Sequence, residues 1–227
     1  MSPRVVVAFL ASAALAACVT DAGLVGRMDA GSDVGVGPLD CTSLAIAPAA
    51  SVRVAPLPAL NGPLTLEGYV SLAGGSPTDL FFLDPACAGS GIGVAVNATG
   101  RYVGSVGSTT IESSVAASAT FVHVALVVSS TGNVTFFLDG VEVGDAGTFG
   151  GVEAGCTLVL GRGVILGTIR VSNIERYGSS FAPSLTLSDD ASTVVIVDVD
   201  TSVLSSVRGA GITASGNVRI EAVGPGC

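Results

Sequence analysis

The sequence predicts an all-β fold, an antiparallel β-sandwich, and three observations carry that expectation. Apolar residues make up 49% of the 227-residue chain, yet beyond the first twenty positions they come in short runs broken by Gly, Ser, Thr, Asp and Pro. Those runs recur at about eight- to twelve-residue intervals, the rhythm of a sandwich or barrel. Val and Ala dominate them, Trp is absent, and only 12% of residues are charged, a composition that suits half-buried strands. Mean hydropathy is +0.72, but no later window approaches the ~18–20 uninterrupted apolar residues of a spanning helix. A net charge of −9, with no Lys and no Arg cluster, argues against nucleic acid as a partner.

The first segment, residues 1–17, has the layout of an export leader. Met1-Ser2-Pro3-Arg4 is a short basic start, and Val5 to Ala14 is an apolar core. It closes on Leu15-Ala16-Ala17-Cys18, which resembles the lipobox of bacterial lipoproteins. That resemblance implies lipidation of the Cys18 thiol, cleavage just before it, and a membrane partner held through acyl chains. Two or more such chains anchor stably where one does not. The implied location is the envelope of a bacterium, with the outer membrane as the expected side. The alternative is an ordinary cleavable leader ending near Ala17. Residues 18–40 then read as the modified Cys and a flexible tether, because Gly, Asp and Ala dominate without either periodicity.

The folded domain is expected over residues 41–227. Leu64 to Leu72 alternates as a half-buried strand. Val122, Val124, Leu126 and Val128 form one face of the next clear strand, and Ser129 to Asn133 is a turn. Val134, Phe136 and Leu138 line one side of the following strand. Asp139-Gly140 then signals a tight hairpin, because both central residues of a type I′ turn need positive φ. Val141-Glu142-Val143 continues the meander. Later strands are expected at Thr157 to Leu160, Val164 to Ser172, Thr193 to Val199 and Asn217 to Ala222. A helical turn would fit only Ile174 to Phe181 or Thr201 to Val207.

Four stretches in order resemble the LamG-like jelly-roll family of the concanavalin A-like lectin/glucanase superfamily. Phe121 to Val127 with Val134 to Val141 is similar to its W-H-H-V-A strand and the following strand ending in L-D-G. Arg170 to Tyr177, with Phe181 and Pro183 beyond, looks like V-R-I-S-N-x-A-R-Y. Leu64 to Val70 resembles F-T-I-E-A-W-V, and Asp190 to Asp200 lies where the family has its last long strand. Three family tryptophans are replaced by Tyr69, Phe121 and Val197, and an acidic pair by Gly167-Thr168. Sugar-stacking tryptophans and calcium-binding acids are thus missing from their expected positions.

Besides Cys18, four cysteines remain: Cys41, Cys87, Cys156 and Cys227. An even number in an exported chain suggests two disulfides, with three pairings open. The resemblance places first and last strands side by side, which implies Cys41–Cys227 as a clasp and Cys87–Cys156 as a staple. No Cys/His spacing suits zinc.

Catalytic residues are not expected. The E-x-D-x-x-E strand motif of related glucanases is absent, and Asp198-Val199-Asp200 has no third acid. Asp189-Asp190 reads as an exposed turn. His123, the single histidine, has no G-x-S-x-G partner and reads as a structural strand residue. Gly89-Ser90-Gly91-Ile92-Gly93 lacks the Lys and helix of a phosphate loop. Asp139 is explained by its hairpin; no cofactor is expected, calcium being the one ion relatives suggest. The expected function is a non-catalytic envelope module that binds glycans or extracellular proteins through loops at one sandwich edge. The alternatives are a purely structural envelope lipoprotein and, least supported, a diverged glycoside hydrolase.

Overall fold

A computed structural model describes residues 42–72, 78–84, 91–199, 204–206 and 210–225, all within the compact unit Val36–Cys227. Cys18, Cys41, Cys87, Cys227 and Asp200, with the leader and tether, lie outside the described residues. Among the described residues there is no helix.

The chain begins with β1 (Ser43–Ile46), β2 (Ser51–Ala55), β3 (Leu64–Leu72) and β4 (Thr78–Leu83). Next come β5 (Ile92–Val96), β6 (Arg101–Val106), β7 (Thr109–Ala116) and β8 (Val122–Val128). β9 (Asn133–Leu138), β10 (Val141–Thr148), β11 (Leu158–Leu160) and β12 (Val164–Ser172) follow. The last four are β13 (Thr193–Val199), β14 (Leu204–Ser206), β15 (Gly211–Ser215) and β16 (Val218–Glu221).

These strands form two antiparallel sheets. The first runs β10-β9-β8-β3-β12-β1-β16, with β13 and β14 branching from β12. The second runs β15-β2-β11-β4-β5-β6-β7. β12 pairs β3 along one side; on the other, Leu166 faces Leu44 of β1 and Ile169 faces Val197 of β13. Gly167-Thr168 lies at that change of partner, where β12 bulges against β3. The first and last strands are neighbours, with Ser43 opposite Glu221.

Alternation dictates the core. Leu64, Leu66 and Val70 of β3, Val124, Leu126 and Val128 of β8, and Val134, Phe136 and Leu138 of β9 point inward. They meet Leu80, Phe81 and Leu83 of β4, Ile92, Val94 and Val96 of β5, and Tyr102 of β6. Gly104 of β6 makes room for Phe136: a Cβ there would come within 2.9 Å of its ring. At the predicted hairpin, Asp139 and Gly140 have φ of 48° and 73°, the paired positive values a type I′ turn requires.

Two expectations are corrected. Residues 174–181 are irregular, with bends at 174 and 178–179, rather than a helical turn, and Leu204–Ser206 is a strand. β3 is not half-buried: all nine of its residues are buried. Its outward residues are polar, as the alternation suggests, but a later segment covers them.

Candidate functional site

The two sheets differ on their outer faces. That of the first sheet is crossed by a strap, residues 173–192, whose base is closed by the Asn173 amide donating to Ser192 O at 2.9 Å. Each outward residue of β3 bonds a covering segment. Thr65 Oγ1 donates to Ile174 O (2.8 Å) and accepts from the Arg176 amide (3.0 Å). Tyr69 Oη donates to Ser184 O at 2.9 Å, and Ser71 Oγ to Ala119 O at 2.7 Å. Burial, with the nearby charges of Asp139 and Glu67, pushes the Tyr69 phenol up to about 12.

Between them Glu67, 0% exposed, gathers the polar groups of three segments. Its Oε1 accepts from Arg170 Nε (2.9 Å) and Nη2 (2.7 Å), with Arg176 Nε at 3.7 Å. Its Oε2 accepts from Tyr177 Oη (2.8 Å) and lies 3.2 Å from His123 Nε2. With no hydrogen-bond partner at the buried Nδ1, the geometry assigns the imidazole proton to Nε2. Burial alone would push the Glu67 carboxyl up, but the His123 hydrogen bond and the Arg170 charge hold it below the ordinary carboxylate value. Burial and the Glu67 charge push the Tyr177 phenol up. Arg170 Nη1 continues to Ser188 O at 2.8 Å, and Arg176 Nη2 to Asp190 at 2.8–2.9 Å. Tyr177 and Phe181 stack at 3.5 Å, and Phe181 packs edge-on against His123 and Phe137. Buried charges persist only when paired and hydrogen-bonded. Here they are, and the result is a pin that holds an irregular segment on a sheet.

Glu67, Arg170, Arg176 and Tyr177 were not singled out in the sequence. A signal was present, since the stretches that carried the family resemblance supply every member of this cluster. His123 lies in β8, fully buried, and its amide donates to Asp139 Oδ1 at 2.9 Å. Asp190 caps the start of β13 by accepting from the Ser192 amide. Asp198 is exposed and accepts from Thr168 Oγ1 at 3.3 Å. Cys156 is buried just before β11; each expected disulfide includes a cysteine outside the described residues. Ile92 and Gly93 belong to β5 rather than to a phosphate loop. Among the described residues no three His, Cys, Asp or Glu side chains gather as a metal site.

The outer face of the second sheet carries an open groove of about 740 Å³, within the roughly 300–1,000 Å³ of small-molecule sites. It lies on a sheet face and reaches Gly91 before β5 and the β6–β7 turn at Gly107 and Ser108. One row of registered residues crosses all seven strands: Thr213, Arg53, Val159, Phe82, Gly93, Ser105 and Thr110. Gly93 and Ala95 of β5, Ser105 of β6 and the flanking Gly91 and Gly107 line the groove, with Val103, opposite Ala95, and Arg101 on the same side of β6. Gly93 has a steric reason: a Cβ there would lie 2.4 Å from the Phe82 Cβ. Asp79 and Phe82 form the β4 side. They share that face because β4 bulges between them, turning both Leu80 and Phe81 into the core.

No protein-family model matches the sequence, and no curated protein matches it. Among solved structures the chain is similar to a native heptameric SAP-like pentraxin from Limulus polyphemus. The TM-score is 0.57 at 14% identity, covering 81% of this chain and 95% of that one. Less similar are domains LG4-5 of the mouse laminin α1 chain, at TM-score 0.48 and 12% identity, covering 62% of this chain and 45% of that one. Domain 4 of AbnA, a GH43 extracellular arabinanase from Geobacillus stearothermophilus in complex with arabinotriose, gives TM-score 0.45 at 17% identity, covering 64% and 75%. Such identities bear on fold alone, and the fold is a LamG-like, concanavalin A-like jelly roll.

Proposed function

We propose that this chain is a non-catalytic binding module, held at a bacterial cell envelope by lipid on Cys18, which captures a glycan or protein on the outer face of its second sheet. The observation that carries the reading is the contrast in carboxylates. The groove is open, yet Asp79 is the one carboxylate among its described lining residues. Glycoside hydrolysis ordinarily needs two, about 5–9.5 Å apart across the bond. Glu67, the acid with the most perturbed surroundings, is sealed under the strap. The Cys41–Cys227 clasp is part of the same proposal, its support being that the first and last strands are neighbours.

Two measurements test it. Cells expressing the full chain and fed a clickable palmitate should label it, and Cys18→Ala should abolish the label; labelling that survives the substitution would refute the anchor. The detergent-solubilised full chain should then bind members of a glycan or extracellular-protein array without turning over any glycan. Turnover would revive the hydrolase reading, and silence across both arrays would leave a purely structural envelope role.

A further inference from the structure

We propose that the groove takes an uncharged oligosaccharide, laid along β5 and β6 with a sugar face against Phe82; this rests on the binding reading above. Charge is the first argument. No Arg, Lys or His is among the described lining residues, and Asp79 stands at the rim. Uronate, sialate, sulfate and phosphate groups are recognised by guanidinium or ammonium donors. The two arginines that share this face are engaged elsewhere. Arg53 Nη2 lies 3.0 Å from Asp84 Oδ2, and Arg101 Nε 3.4 Å from Glu112 Oε1. Among the described lining residues an anionic chain would meet the Asp79 carboxylate and no cation.

Backbone pairing is the second argument. An extended peptide docks by adding to a free strand edge, but β5 is hydrogen-bonded on both sides, to β4 and to β6. A helix would need apolar knobs on the floor, but Leu83, Ile92 and Val94 of the lining belong to the core, which leaves Phe82 among Gly, Ala and Ser. What remains is an aromatic ring, a carboxylate that only accepts, two hydroxyls at Ser105 and Ser108, and a shallow channel two strands wide. Sugars offer the complement: an apolar C–H face for the ring and hydroxyls for the acceptors. Asp79 and Phe82 face Ala95 and Gly93, two residues apart on β5, about 7 Å along the strand. The lining itself runs from Gly91 to Ala95, about 13 Å of extended chain, which favours an oligosaccharide over a monosaccharide.

The test presents the detergent-solubilised full chain with neutral gluco-, xylo-, manno- and arabino-oligosaccharides, and with uronate, sialylated and sulfated ones. Neutral chains should bind, and both Phe82→Ala and Ala95→Phe should weaken them at least about tenfold. Ala95→Phe fills the channel from the solvent side, so it keeps the test alive should Phe82→Ala misfold. Binding of the acidic panel alone would overturn this inference and leave the binding module standing. Neutral binding untouched by either substitution would displace the site from the groove. Silence of both glycan panels ends this inference, whereas the wider reading falls only if the protein array is silent too.

Discussion

The outer faces of the two sheets solve the same problem in opposite ways. On the first, β3 sends out Thr65, Glu67, Tyr69 and Ser71; the strap bonds the first three through backbone carbonyls, Tyr177 and Arg176, and Ala119 O accepts from Ser71. On the second, Gly93, Ala95 and Ser105 leave a groove on β5 and β6, beside Val103 and Arg101. Both faces belong to twisted antiparallel sheets with an apolar inner side, so strand pairing does not set the difference. Side-chain length and polarity do. Where Glu67 and Tyr69 project, a strap covers them; where glycine, alanine and serine project, a channel is left.

The comparison breaks most sharply at Glu67. Glu67→Ala leaves Arg170 buried without its carboxylate and takes an acceptor from Tyr177 and His123, which should cost about 3–5 kcal/mol in urea unfolding. A loss below about 1 kcal/mol would mean the pin contributes little. Next comes the docking point of the strap on the β9–β10 hairpin, where the Phe181 amide donates to Gly140 O at 2.9 Å. A Cβ on Gly140 would lie 2.0 Å from Phe181 O, at a φ of 73° that disfavours side chains. Gly140→Ala should cost about 2 kcal/mol, and it should expose the Tyr177–Phe181 stack to quenchers of tyrosine fluorescence.

Acid should loosen the covered face before the open one. The Arg176 hydrogen bond holds the Asp190 carboxyl down to about 2, from an ordinary 3.8, and Glu67 is also held below its ordinary value of 4.5. A depressed carboxylate contributes stability that is full above its unfolded pKa and lost as pH falls through its folded one. Urea midpoints should therefore hold above about pH 5 and fall progressively below it, and Asp190→Asn should make that fall shallower. An identical slope in wild type and variant would remove Asp190 from the account. The smallest effect on stability belongs to the open face. Phe82→Ala should change unfolding by about 1 kcal/mol or less, because the ring is half-buried; a larger loss would make Phe82 part of the core rather than a wall of the groove.

Much of the first sheet was legible in the sequence. β3, β8, β9, β10 and β12 are long, alternate cleanly and are separated by turn chemistry, above all Asp139-Gly140. β2, β5 and β6 were not located individually, because Ala, Pro and Gly dilute their alternation, and β7 is mostly exposed. The fate of the outward polar residues was illegible in β3. An alternating Thr-x-Glu-x-Tyr-x-Ser reads as a solvent face, and only a covering segment more than a hundred residues later makes it an interior. The groove escaped notice for the reverse reason, being defined by missing side chains on two strands whose adjacency is a fact of pairing.

Residue order alone determined the strands, the hairpin turn and the inward-facing Val, Leu and Phe, because backbone sterics and a two-residue period act within a few positions. Tertiary structure decided which polar face was sealed and which stayed open. Glu67 and Arg170 are 103 residues apart in the chain, and what joins them is the register of β3 against β12. That register is set by apolar packing between whole sheets, which no local stretch of sequence contains.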